Sequence, residues 1–196
     1  MRKAEIQRET KETKVFVSIN LDGSGYSDIN TGIGFFDHML TQIAVHGLFD
    51  MKVKAEGDLH VDSHHTIEDC ALVLGEAFNK AMGDRRGIYR MASAYVPMDE
   101  ALGQVIVDLS GRPYAILKMK WTSPSVSHIP TSLIEHFFES FAITCRCNLH
   151  CRILYGRDNH HMAEALFKAL GRALDSATQV DARRKDSIPS SKGNLV

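Results

Sequence analysis

A chain of 196 residues with 44% hydrophobic side chains can fill one substantial core or two small fused ones, which excludes general disorder. Its 23 lysines and arginines nearly cancel 24 aspartates and glutamates, so neither a broad nucleic-acid surface nor an acidic tail is expected, and any anion binding falls to local clusters. The opening MRKAEIQRETKETKVFVSIN carries no signal-peptide run, and no stretch of about 18 apolar residues occurs, so a cytoplasmic protein without a membrane span is expected.

In chain order, Val15, Val17, Ile19 and Leu21 alternate along VFVSINLDGSG, a strand running into a Gly-containing turn. GFFDHML places Asp37 and His38 in an apolar helical pattern, and FDMKVKAEG reads as another strand. VDSHHTIEDC then sets His64 beside His65, with Glu68 four residues after the first. Ile67, Cys70, Ala71, Leu74, Phe78 and Ala81 continue one apolar stripe of a helix that Asp62 or Ser63 can cap.

QVIVDLSGRPY repeats the strand-and-turn pattern with Val105, Val107 and Leu109, and WTSPSVSHIP, residues 121–130, reads as a loop. LIEHFFESFA is a second acid–histidine helix, with Glu135 and His136. In FAITCRCNLHCRILY the odd positions Phe141, Ile143, Cys145, Cys147, Leu149, Cys151, Ile153 and Tyr155 predict one apolar strand face. Its cysteines lack the paired spacing of structural zinc sites and read as reduced core residues, as does Cys70. RDNHHMAEAL brings His160, His161 and Glu164, and Ala163, Leu166, Phe167, Leu170, Leu174 and Ala177 form the stripe of a helix that Asp158 or Asn159 can cap.

The two His-His-x-x-Glu segments align at an offset of 96 residues (His64 to His160), which also superposes Asp62 on Asp158 and Gly75 on Gly171. The acid–histidine pairs align at 98 (His38 to His136), and the strands before them at 88 (Val17 to Val105). An α+β fold made of a duplicated unit follows, with a join near residues 91–98. The halves are expected at 1–92 and 93–196, each a small mixed or antiparallel sheet with helices on one face, together one compact unit.

Residues four apart share a helix face, so His64 with Glu68, and His160 with Glu164, can each grip one cation. The adjacent histidine points about 100° away round the helix and reaches a different ion. Pseudo-symmetry suggests that His161 joins His64 and Glu68, that His65 joins His160 and Glu164, and that His38 and His136 complete the shells. Three nitrogens, one carboxylate and no thiolate suit Mn, Fe, Co, Ni or Zn, and spacing does not choose among them. One such motif is ordinary solvated surface; its repetition with matching flanks is what points to ligands. His46, His60, His128 and His150 have no matched partner, and most of them read as structural.

TGIGFFDHML, HVDSHHTIED, LSGRPY, EHFFESFA, DNHHMAEALFKALGRAL and the terminal IPSSKGNLV together resemble the imidazoleglycerol-phosphate dehydratase family over nearly the whole chain. The resemblance is to the monofunctional form, and it implies a duplicated α+β fold of the ribosomal protein S5 domain 2-like kind. It implies dehydration of D-erythro-imidazole glycerol phosphate to imidazole acetol phosphate in histidine biosynthesis, with two Mn2+ per active site. A cubic homo-oligomer of 24 subunits built from trimers, with sites at subunit interfaces, is implied too. Carried over, one ion takes His38, His65, His160 and Glu164, and the other takes His64, Glu68, His136 and His161.

The carbon–hydroxyl bond in that substrate has no neighbouring carbonyl, so elimination needs another electron sink. Cations on both nitrogens of the imidazole ring favour the imidazolate, whose electrons expel the hydroxyl through a diazafulvene-like intermediate. Glu12 matches the family position of a proton-transfer base, and Glu68 and Glu164 act as ligands within the catalytic site. Arg90, Arg112, Lys168, Ser190, Ser191 and Lys192 match phosphate or substrate contacts, and Gln42 and His46, one and two turns beyond His38, are further candidates. Two rivals remain at this point: a dinuclear metal hydrolase that would release phosphate, and a metal storage or sensing protein that would not need the basic set.

Overall fold

The computed structural model describes residues 2–184 and 187–195, so Val196, the last residue of IPSSKGNLV, lies outside the described residues. The first half of the chain runs Lys3–Glu9 (β1), Thr13–Asn20 (β2), Ser27–Asn30 (β3), Gly34–Gly47 (α1), Asp50–Gly57 (β4) and His64–Met82 (α2). Met91–Met98 (β5), Ala101–Asp108 (β6) and Tyr114–Lys118 (β7) follow, then the short pair Ser125–Val126 (β8) and Ile129–Pro130 (β9). Thr131–Cys145 (α3), Asn148–Tyr155 (β10) and Asn159–Thr178 (α4) complete the order.

The larger strands form two four-stranded sheets, ordered β1-β2-β4-β3 and β5-β6-β10-β7. Pairing is antiparallel along each sheet except at the last pair, where β3 runs parallel to β4 and β7 parallel to β10. The expected α+β class holds. Val15, Val17 and Ile19 of β2, like Val105 and Val107 of β6, turn inward and are fully or almost fully buried. The four helices fill the space between the sheets: α2 packs on β1, β2, β4 and α3, and α4 packs on β5, β6, β10 and α1. Phe78, Phe137, Phe141 and Phe167 form the aromatic centre of that layer.

Two glycines set the spacing within the helix layer. A Cβ on Gly75 of α2 would stand 2.5 Å from the Phe141 carbonyl oxygen of α3, and one on Gly171 of α4 would stand 2.8 Å from the Ile43 carbonyl oxygen of α1. Both helix pairs therefore approach backbone to backbone, which brings the opening turns of α1 and α4, and of α3 and α2, within side-chain reach.

Residues 141–155 correct the strand expected there. Phe141, Ile143 and Cys145 belong to α3, which ends at Arg146 in the left-handed region with φ 54°, and the strand starts only at Asn148. Phe141 and Cys145 are buried because they lie one turn apart on a helix, whereas Ile143, out of that phase, is 57% exposed. All four cysteines are free and buried, as expected of core residues. Residues 121–130, read as a loop, contain the β8–β9 pair, and residues 91–98 are β5, the edge strand of the second sheet. No helix among the described residues is long and apolar enough to cross a membrane.

Candidate metal centre

The histidine pairs sit in first helical turns because an aspartate stands two residues ahead of each. Asp62 Oδ1 accepts the main-chain N–H of His64 at 2.7 Å, and Asp158 Oδ1 accepts that of His160 at 2.7 Å. Two three-residue groups result, each with all its candidate ligand atoms within 4.8 Å of one another: His38, His160 and Glu164, and His64, Glu68 and His136.

In the first group, His38 Nε2 lies 3.1 Å and His160 Nε2 3.2 Å from the same oxygen, Glu164 Oε2. The other oxygen faces Lys168 Nζ at 2.7 Å. Burial pushes the Glu164 carboxyl up, but the Lys168 ammonium and then His38 outweigh it and hold the group at about 2. Gln42 Nε2 lies 3.3 Å from His38 Nδ1 and 3.3 Å from the His38 carbonyl, behind the ring rather than in front of it. His46 is half-buried one turn farther on, and burial, then Lys168 and Arg172, lower its pKa.

In the second group, Glu68 Oε1 lies 3.3 Å from His136 Nε2 and Glu68 Oε2 lies 3.8 Å from His64 Nε2. His136 Nε2 is buried and has no hydrogen-bond partner. A buried lone-pair nitrogen beside a carboxylate, with a second imidazole at hand, fits a divalent cation, and the first group offers the same nitrogen and oxygen donors.

His65 and His161 belong to neither group. His65 Nδ1 lies 3.0 Å from Asp58 Oδ2, and His161 Nδ1 lies 2.8 Å from Glu100 Oε2. Those carboxylates raise the pKa of both rings, while the His161 bond, with the main-chain N–H groups of Asp158 and Arg157, holds Glu100 at about 2. Glu12 is exposed in the β1–β2 turn, with Oε2 3.8 Å from His65 Nε2. Sequence reading did not single out Asp58, Asp99 or Glu100, although Glu100 stands 88 residues after Glu12, the offset that relates the strands.

Arg90, Ser190 and Lys192 lie away from both groups. Arg90, left-handed with φ 75°, binds Asp108 through Nε at 2.7 Å and Nη2 at 3.0 Å, and donates Nη1 to the Pro189 carbonyl at 2.7 Å. Its main-chain N–H bonds Ala177 near the end of α4, so within one chain it lies about 20 Å along that helix from Glu164, at 1.5 Å per residue. Ser190 and Lys192 form a turn there, in which the Lys192 N–H donates to Ser190 Oγ at 3.2 Å. Ser191 and Lys192 are exposed, and Arg112 is exposed in the turn after β6. Lys168 alone of the basic set adjoins a three-residue group. Beside the histidines run two open clefts: one of about 750 Å³ bordered by Glu100, Arg157, His160 and His161, and one of about 700 Å³ bordered by Leu59, His64, His128 and His136.

A family model described as imidazoleglycerol-phosphate dehydratase matches residues 31–174. A protein of that description from Roseiflexus sp. (strain RS-1) is 60% identical over 194 residues, covering 99% of this chain and 98% of its own length. Another, from Dehalococcoides mccartyi (strain CBDB1), is 55% identical over 194 residues, covering 99% and 97%. The crystal structure of imidazoleglycerol-phosphate dehydratase from Staphylococcus aureus subsp. aureus N315 superposes with a TM-score of 0.82 at 35% identity, over 91% of this chain and 99% of that one. The Pyrococcus furiosus enzyme, crystallised in complex with (S)-C348, superposes with a TM-score of 0.84 at 35% identity, over 97% and 100%.

Proposed function

We propose, from the premise that this chain belongs to the imidazoleglycerol-phosphate dehydratase family and is a hydro-lyase, that it removes water from D-erythro-imidazole glycerol phosphate with two Mn2+ at each site. The observation that carries the metal reading is the pair of histidine–histidine–glutamate groups, each one ligand short of a four-residue shell. His65 from a neighbouring copy completes His38, His160 and Glu164, and His161 from a neighbouring copy completes His64, Glu68 and His136. When bound, two divalent cations would polarise the ring nitrogens and make the imidazole the electron sink that the substrate otherwise lacks.

The chain's own residues supply the rest. Glu12, beside His65, takes and returns the side-chain proton; Glu68 and Glu164 hold charge opposite the ring. Lys168 neutralises Glu164, while Arg90, Arg112, Ser190, Ser191 and Lys192 of an adjoining copy receive the phosphate. Gln42 steadies His38 and His46 flanks the same helix face. The placement of Arg90 about 20 Å along α4 from Glu164 favours this division between copies.

The matching strand orders of the two sheets support a duplicated unit divided at about residue 92. A cubic particle of 24 copies assembled from trimers, acting in the cytoplasm, completes the reading. The test is turnover of imidazole glycerol phosphate by chelator-stripped protein before and after Mn2+ is added, following ketone and free phosphate together. Metal-dependent ketone without phosphate is expected. Phosphate release would indicate a hydrolase, and absence of ketone despite bound Mn2+ would overturn the dehydratase chemistry.

A further inference from the structure

His65 and His161 differ from the other six candidate ligands in how they are held. Asp58 presents both oxygens to His65 Nδ1, at 3.0 and 3.3 Å, from the turn after β4. Glu100 presents Oε2 to His161 Nδ1 at 2.8 Å from the turn between β5 and β6. Neither carboxylate lies on the helix it serves, and each is itself fastened. Glu100 Oε1 accepts the main-chain N–H groups of Arg157 at 3.0 Å and Asp158 at 2.8 Å, where the chain enters α4. The Asp58 N–H donates to the Glu12 carbonyl at 3.1 Å, which ties Asp58 to the turn that carries Glu12.

A carboxylate accepts hydrogen bonds and does not donate them, so the ring nitrogen facing it carries the proton. In a neutral imidazole the opposite nitrogen then keeps its lone pair, the form a metal requires. The two halves of the chain reach this state with residues from different turns. Glu12 and Glu100 occupy corresponding hairpin turns, yet Glu12 stands 3.8 Å from Nε2 of its histidine while Glu100 takes Nδ1. Asp58 fills the Nδ1 role in the first half, and Asp99 Oδ2 stands 3.8 Å from Nε2 in the second. The same end state reached by unlike residues argues for a requirement on the ring rather than for inherited packing.

We infer that Asp58 and Glu100 are positioning residues, which hold His65 and His161 in the Nδ1–H form and keep Nε2 bare for a divalent cation gathered by another copy of the chain. This rests on the two-metal reading given above. Partners of this kind fix ring orientation and ligand basicity, and losing one costs about 10–100-fold in metal affinity.

The experiment uses full-length, chelator-stripped protein with 15N-labelled histidine, at a pH above the imidazole range, with His65→Ala and His161→Ala to assign the two rings. Both rings are expected as Nδ1–H with a bare Nε2. In Asp58→Asn and Glu100→Gln, whose amides can donate as well as accept, both tautomers should be populated, and Mn2+ should bind about 10–100-fold more weakly by calorimetry. Wild-type rings in the Nε2–H form would overturn the inference, as would variants with unchanged tautomers and unchanged Mn2+ affinity. Failure of the two-metal reading is a separate result: wild-type protein would then take up no Mn2+, whatever its tautomers.

Discussion

Lys168 Nζ lies 2.7 Å from Glu164 Oε1, one turn along α4, while the other oxygen of that carboxylate faces His38 and His160. One side of Glu164 is thus neutralised by its own helix, and the other is turned to the imidazoles. Lys168→Met removes the internal cation and leaves a buried carboxylate short of a partner, which should destabilise the metal-free protein by about 1–3 kcal/mol. A cation at His38, His160 and Glu164 would take over that neutralisation, so the loss should shrink once Mn2+ is added. Thermal unfolding of both proteins with and without Mn2+ checks this; an equal deficit in both conditions would sink it.

Glu12→Gln should lower kcat by about 10²–10⁴-fold, the usual worth of a positioned general acid or base. Glu12 is exposed and its side chain supports no buried contact, so the melting temperature and Mn2+ uptake should match wild type. Retention of full turnover would remove Glu12 from the chemistry.

If the proposed particle is held by shells that His65 and His161 of neighbouring copies complete, removing metal should dissociate it, because those shells lose their common centre. Sedimentation of chelated protein is expected to show trimers that reassemble on adding Mn2+. Chelated protein that still sediments at full size would contradict shells shared between copies.

Gly75→Ala should be destabilising by about 1–3 kcal/mol through overpacking, since even if the Thr144 hydroxyl swings aside the added carbon still stands 2.5 Å from the Phe141 carbonyl oxygen and 2.8 Å from the Cys145 main-chain nitrogen of α3, which cannot. Glycines in open space give the control: Gly34→Ala, where nothing lies within 4 Å, should change the unfolding midpoint little. Similar midpoints for Gly75→Ala and wild type would show that α2 and α3 can separate at no cost.

Asp50 accepts the main-chain N–H groups of Ser24, at 2.8 Å, and Tyr26, at 3.2 Å, and the Asn20 amide; led by Ser24, these donors draw its carboxyl from 3.8 to about 2. A depressed folded value means that the stabilisation is complete above the unfolded value and disappears as pH falls through the folded one. Asp50→Asn should therefore lower the unfolding midpoint at neutral pH, with the gap from wild type closing between about pH 4 and pH 2. A gap independent of pH would rule out the charge as its source.

The parts legible in sequence were those written in local spacing. Asp158 caps α4, Asp62 makes the same bond to His64 from one residue ahead of the Ser63 cap position of α2, and His64 with Glu68 or His160 with Glu164 meet one helical turn apart. Contacts made by distant residues were not legible. His161 meets Glu100 across 61 positions of chain, and the acids of the acid–histidine pairs turn away from the candidate ligands: Asp37 Oδ1 accepts from Thr31, and Glu135 Oε1 accepts from Trp121. The end of α3 was hidden for a different reason. Arg146 adopts the left-handed conformation that usually announces itself as glycine, so the helix stop had no signal and a period of two passed for a strand.

The single-residue step from His64 to His65, and from His160 to His161, also bears on inheritance. In the proposed two-metal site neighbours in sequence join different shells, so a chain spoiled at His64 would still carry an intact His160 set, and a chain spoiled at His160 an intact His64 set. Mixed particles of two such inactive alleles would contain some junctions where both defects fall on the unused side. Cells carrying the pair would regain growth without external histidine, although neither allele alone would support it.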